Sequence, residues 1–430
     1  MSDELVTALP GAGVYEKYVL GLLTLVFTLN FVDRALVILL LQSIKEDLHL
    51  SDTQLGFLSG IAFAVFYTVL GLPVARWADR GNRATITSIA IGLWGLTVMA
   101  CVLITNFSQL LAARICAAVG ESGCMPPTYS LLGDYFPLPA ERTRAMGTYW
   151  LANPLSGLIG FVAGGWLNQT LGWRMTFFVL GLPALLVAAL VKVTVREPRQ
   201  STGAAPLTRR SVSGMTDVLR CMWRQKSSRH LCVAIVLFFT MGQGLGQWFG
   251  AFMIRTHGMS TAELGLWLGL SFGVGGMIGV LGGGYIAGRW FGSNERAQMR
   301  LTAVMVGLLL PCSAAFLLTP AKRWALIALV PWALVLNFFF GPAFALLQRL
   351  VADEMRATTV AVVMLLANLI GMGVGPQIVG VLSDGLRPSF GSDSLRYAML
   401  SVSLVALWSA YHFWKVGGTV KEDIRERAPL

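Results

Sequence analysis

Residues Val19–Leu41 read VLGLLTLVFTLNFVDRALVILLL. An α-helix needs about 20 apolar residues to cross the hydrocarbon core of a bilayer, and this run supplies them. Asp33 and Arg34 interrupt it near its middle. A charge at a helix centre in lipid costs roughly 2.5–3.5 kcal/mol on insertion scales, so an adjacent acid and base there call for a specific use. The rest of the chain has the same character. Hydrophobic residues make up 55% of the sequence and charged residues 13%, against about 25% charged in soluble domains. The fold class is all-α integral membrane. The net charge of +11 sits in short loops between apolar runs and forms no basic patch on a soluble fold, which excludes nucleic acid as a partner.

Twelve segments meet the spanning criterion, at 17–42, 54–77, 84–104, 107–134, 142–168, 173–194, 230–256, 261–289, 299–318, 324–350, 356–383 and 395–415. They divide as an N-terminal six-helix bundle over 1–196, a basic linker over 197–229 containing STGAAPLTRRSVSG (201–214), and a second six-helix bundle with a tail over 230–430. Of the 33 Lys and Arg residues, 24 fall on the side of both termini and seven on the other. Both termini are therefore expected in the cytoplasm. Only Arg34 and Arg114 remain, both inside spans. The acidic first fifteen residues show no signal-peptide pattern, so the first span is expected to direct insertion into a bacterial-type inner membrane. The two halves suggest a duplication: ARWADRGNRA (Ala75–Ala84) after the second span is matched weakly by GYIAGRWFGS (Gly284–Ser293) after the eighth. Two pseudo-symmetric bundles with a cavity between them are the expected architecture.

In the fourth span, LLAARICAAVGESGCMPPTYSLLGDYF (Leu110–Phe136), Arg114 and Glu121 stand seven residues apart. That is about 10.5 Å along a helix, on one face. In the first span Asn30 lies one turn from Asp33 and Arg34, so two helices each supply an acid and a base. A buried ion network could serve packing alone, but buried pairs often lose about 1–4 kcal/mol to apolar replacements, and intramembrane ionisable groups point to function. Arginine stays charged at physiological pH while a desolvated carboxylate titrates, so Asp33 and Glu121 are candidate proton carriers and Arg34 and Arg114 candidate anion or ion-pair partners.

In the second half Gln243, Gln247, Asn337 and Asn368 are amides in apolar runs, with Trp248 beside Gln247. Cavity lining and interhelical hydrogen bonding both fit them. The aromatic group Phe338–Phe340 and Trp248 fits an acyl chain or a lipid-facing surface equally. Pro126, Pro127, Pro154 and Pro376 break helices, freeing carbonyls toward a cavity or only kinking the chain. Asp79, Arg80 and Arg83 in the turn after the second span form a candidate gating latch. The six cysteines lack CxxC spacing, the histidines lie near span ends, and hydrolase and P-loop patterns are missing from the sequence. Disulfides, metals, cofactors and enzymatic activity are not expected, and uphill movement would need an ion gradient.

NFVDR (Asn30–Arg34), DRGNR (Asp79–Arg83), RICAAVGESG (Arg114–Gly123), GWR (Gly172–Arg174) and VREP (Val195–Pro198) together resemble the major facilitator superfamily. Within it the chain is most similar to spinster-type transporters. The family's turn motif GxxxDRxGRR is altered here at Ala75, Asn82 and Ala84, and Asn82 is similar to the spinster form. The resemblance implies alternating access, a monomer, and proton-linked transport of a lysolipid or sphingoid phosphate. By position it implies protonation of Asp33 and Glu121, with Arg34 and Arg114 pairing with them or with an anionic headgroup. Organic-anion:proton symporters of the same superfamily are the nearest alternative; a membrane-embedded lipid-modifying enzyme and a transport-dead sensor are the others.

Overall fold

The first span is a 35-residue helix, Val14–Leu48, about 52 Å long at 1.5 Å per residue. It outruns the hydrocarbon core at both ends. His49 stops it in a left-handed conformation (φ 51°). Ser51 then starts the second span through a capping box: its Oγ accepts from the Gln54 N–H at 3.1 Å, and Gln54 Oε1 accepts from the Ser51 N–H at 2.9 Å. The computed structural model that shows this describes residues 13–198, 215–291, 294–352 and 355–427. The linker 201–214 lies outside the described residues, as do the side chains of Asp79 and Arg80.

The described residues are helical throughout, without strands. The second span covers 52–80, the third 83–103, the fourth 107–135, the fifth 139–171 and the sixth 173–194. A short helix, Met215–Arg224, precedes the seventh span, Lys226–His257. The eighth covers 261–291, the ninth Glu295–Leu318, the tenth 322–349, the eleventh 356–390 and the twelfth 394–427. Among the described residues nine helices are long and apolar enough to cross a membrane. Two of them, Arg144–Thr194 and Thr358–Arg425, each hold two spans, turned at Gly172 (φ 78°) and Gly391 (φ 55°), where only glycine adopts the backbone without strain. The fourth span completes the twelve. It falls short of the length criterion because it breaks at Gly123–Cys124 into helices of 16 and 11 residues.

Among the described residues, three helix pairs form the main contacts between the halves. The first span packs on the seventh, the second on the eleventh, and the fifth on the eighth. Small residues permit this closeness, since lipid provides no hydrophobic force to draw helices together. A Cβ on Gly250 would stand 2.6 Å from the Ile38 carbonyl oxygen, and one on Gly56 would stand 2.7 Å from that of Pro376. Pseudo-symmetry is visible in the helix defects: the second and eighth spans, equivalent in the two halves, each carry a π-helical stretch, Leu58–Ala62 and Gly269–Gly275. A third, Ala367–Met372, lies in the eleventh span opposite the first of these. Such widened turns concentrate where helices must move or bind.

Candidate functional site

Asp33 and Arg34 are neighbours on one helix, so their side chains leave it about 100° apart and meet different partners. Arg114 Nη1 donates to Asp33 Oδ2 at 2.7 Å. Arg34 donates from Nε and Nη2 to Glu121 Oε2 at 3.0 and 2.9 Å. The seven-residue spacing of Arg114 and Glu121 thus supplies one opposite charge to each of two adjacent residues on the first span. Asp33 is 1% exposed, Glu121 0% and Arg114 7%, whereas the Arg34 side chain is 24% exposed. Aromatic rings frame Arg34: its guanidinium carbon is 4.6 Å from the Phe31 centroid and 5.2 Å from those of Phe63 and Tyr67. Cation–π attraction of this kind holds a guanidinium without neutralising it. Asn30, also buried, donates to Cys124 Sγ at 3.8 Å, at the break in the fourth span.

The four charges sum to zero in two pairs. Protonating either carboxylate leaves a buried arginine uncompensated, a state that costs about 3–5 kcal/mol unless another anion arrives or the site rearranges. Arg34 is the member that a second anion can reach. Asp33 Oδ1, Glu121 Oε1 and Arg114 Nε have no hydrogen-bond partner, so each pair keeps spare capacity for a proton or a water.

The second-half residues are not drawn into this cluster. Trp248 is fully buried and its indole N–H donates to the Pro376 carbonyl at 3.0 Å, which makes it a strut inside its own bundle and not a cavity wall. Asn337 donates to Ala333 one turn back and packs against Gly276. Gln243, Gln247 and Asn368 are half-buried, and Gln247 Oε1 has no partner. Phe338 and Phe339 are both buried, and the Phe339 ring centroid lies 3.9 Å from that of Phe238. These two face neither lipid nor cavity.

Arg83, from the candidate latch, binds within its own half. Its backbone N–H donates to Glu197 Oε2 at 2.6 Å, its Nη1 to Ser130 Oγ at 2.8 Å, and its Nη2 pairs with Asp134 at 2.7 Å. It ties the start of the third span to the VREP segment and the fourth span.

Sequence reasoning missed a latch on the face opposite the termini. Asp52, 3% exposed, accepts from Arg255 Nη1 and Nη2, both at 2.8 Å, from Ser383 Oγ at 2.6 Å, and from Lys45. Asp384 of the eleventh span accepts from the Thr53 N–H and Oγ1, both at 2.7 Å, and so caps the second span from the other half. Asn168 donates to Thr261 Oγ1 at 3.2 Å nearby. Asp52, Asp384 and Asn168 thus each bond one half to the other on this face.

The family model described as Major Facilitator Superfamily matches residues 23–376. A protein described as an MFS-type efflux pump from Mycolicibacterium smegmatis is 34% identical over 412 residues, covering 95% of this chain and 94% of that protein. Protein spinster homolog 1 from Xenopus tropicalis is 26% identical, covering 94% and 80%. A crystal structure of a bacterial homolog to the human lysosomal transporter spinster, inward-facing and unoccupied, superposes with a TM-score of 0.83 at 27% identity, covering 96% of this chain and 99% of that one.

Proposed function

The chain belongs to the Major Facilitator Superfamily, and from that membership we propose that it is a proton-coupled secondary transporter moving an amphipathic anion of the lysolipid or sphingoid-phosphate class. The observation that carries this reading is the pair of ion pairs Asp33–Arg114 and Arg34–Glu121. Their charges balance, so a proton on a carboxylate and an anion on Arg34 offset each other, and the two bound together keep the site neutral. The aromatic frame of Phe31, Phe63 and Tyr67 supplies apolar surface beside the guanidinium, as a headgroup joined to a hydrocarbon chain requires. The lipid class is what the resemblance to spinster-type transporters implies, and the likeness to a spinster homolog and to a lysosomal-transporter homolog supports that resemblance. With both termini in the cytoplasm, the bonds around Asp52 hold the outer face closed, which supports an inward-facing reading, the state of the superposed spinster homolog. Asp33 and Glu121 are the proton sites, and residues 1–196 and 230–430 are the two rocking bodies.

The test is thermal stabilisation and transport in proteoliposomes with lysophosphatidylglycerol and with glucuronate. The lipid is expected to stabilise and be carried, and Arg34→Gln to lose both responses. Carriage of glucuronate alone would replace the lipid assignment with the organic-anion reading. Chemical conversion of recovered lysophosphatidylglycerol would replace transport with a lipid-modifying activity.

A further inference from the structure

Beside the Asp33–Arg114 pair the first half holds a cavity of about 10 Å³ open to water-sized spheres, with Arg34 not among its lining residues, at the threshold for one water molecule. Asp33 and Arg114 border it at mid-membrane. Thr97, Cys101, Leu110 and Ile44 continue its wall toward the ends of the third and first spans and the start of the fourth, on the face of the Asp52 latch. Two buried polar atoms on its bordering residues, Asp33 Oδ1 and Arg114 Nε, lack partners. One water between them would accept from the arginine and donate to the carboxylate, satisfying both.

We propose that the proton exchanged by Asp33 passes through this chamber inside the first bundle, from the face opposite the termini, and not through the space between the bundles that the cargo uses. The inference rests on Asp33 being a proton site. Its position explains how both routes coexist: the latch shuts the inter-bundle path on that face, while Asp33 and Arg114 also border a cavity that Arg34 and Glu121 do not line. The titratable and charged groups around Asp33 are Arg114 and Glu121 from the fourth span, Arg34 from its own helix, and Cys101, whose thiol borders the chamber. Leu110 and Ile44 act as an apolar plug that a transient water file must pass. No bond other than O–H is made or broken: a hydronium at the outer end gives its proton to Asp33 Oδ1 through the bridging water.

The experiment reconstitutes the full chain in liposomes with the C-terminus inside, lowers the external pH, and follows the protonated-carboxyl infrared band that Asp33→Asn removes. Ala113→Leu narrows the chamber while leaving all four charged residues in the sequence, and is expected to slow the band's rise at least tenfold. Leu110→Ala widens the outer end and is expected to speed it at least twofold. Rates within twofold of wild type in both variants would overturn the chamber route while leaving Asp33 as the proton site. Should Ala113→Leu fail to fold, an unchanged rate in Leu110→Ala is sufficient to overturn it. A wild-type band that Asp33→Asn leaves intact would instead remove the premise, a distinct result.

Discussion

Replacing Asp52 by Asn keeps the shape of the side chain and deletes the charge that holds the two halves together. Three donors from the other half converge on its carboxylate: Arg255 Nη1 and Nη2 at 2.8 Å each and Ser383 Oγ at 2.6 Å. Hydrogen bonds to charged groups contribute about 1.5–3 kcal/mol each, but they are not additive. The Arg255 and Lys45 side chains are 16% and 15% exposed, so solvent screens part of the loss. A net loss of about 2–3 kcal/mol from the closed outer face follows. At 1.4 kcal/mol per factor of ten this shifts the outward-open to inward-open ratio by about 30- to 140-fold. Spin labels at Thr105→Cys and Ala321→Cys, both exposed on that face in opposite halves, report the change in a background stripped of native cysteines. The long-distance population should grow in Asp52→Asn by that factor, and the Asp52→Asn/Arg255→Gln double variant should move less than the sum of the singles. An unchanged distance distribution would refute the latch.

Other outcomes follow from the same geometry. Gly265→Leu drives a side chain into the Phe161 backbone across the fifth and eighth spans, so it should hold the outer face open and reduce transport more than tenfold while the protein still purifies as a monodisperse species. Glu197→Gln leaves the fully buried Arg83 short of its main counter-charge. It should cost the first bundle about 3 kcal/mol, read as a lowered Tm with the outer-face distances unchanged. Arg34→Lys keeps the charge but loses the planar fork on Glu121 and the ring contacts; lysophosphatidylglycerol affinity should fall about tenfold, measured by titrated thermal stabilisation.

The spans were legible because length and hydropathy dominate in lipid, and even the fourth span, broken at Gly123–Cys124, kept enough apolar residues to be recognised. The four central charges were legible for the complementary reason: in a chain whose bases otherwise sit in loops, Arg34 and Arg114 stand out. Which acid pairs with which base was not, since adjacent residues on one helix diverge and only the tertiary structure chooses. The Asp52 latch was hidden because acids and bases at span ends are ordinary, and Asp52 meets Arg255 across 203 positions of sequence. A signal was available in the scarcity of bases on that face, Lys45 and Arg255 being two of only seven. Trp248 misled as a cavity candidate because an indole in an apolar run looks the same whether its N–H meets a cargo or, as here, the Pro376 carbonyl. Arg34's aromatic frame escaped notice because Phe63 and Tyr67 belong to another span.

The account stands on charge balance at the central quartet, and the most direct measurement is transport in pH-clamped proteoliposomes against an imposed proton gradient. Wild-type flux of the lipid should change direction or rate with the gradient, and Asp33→Asn/Glu121→Gln should transport, if at all, without regard to it. Full gradient dependence in that double variant would contradict the account.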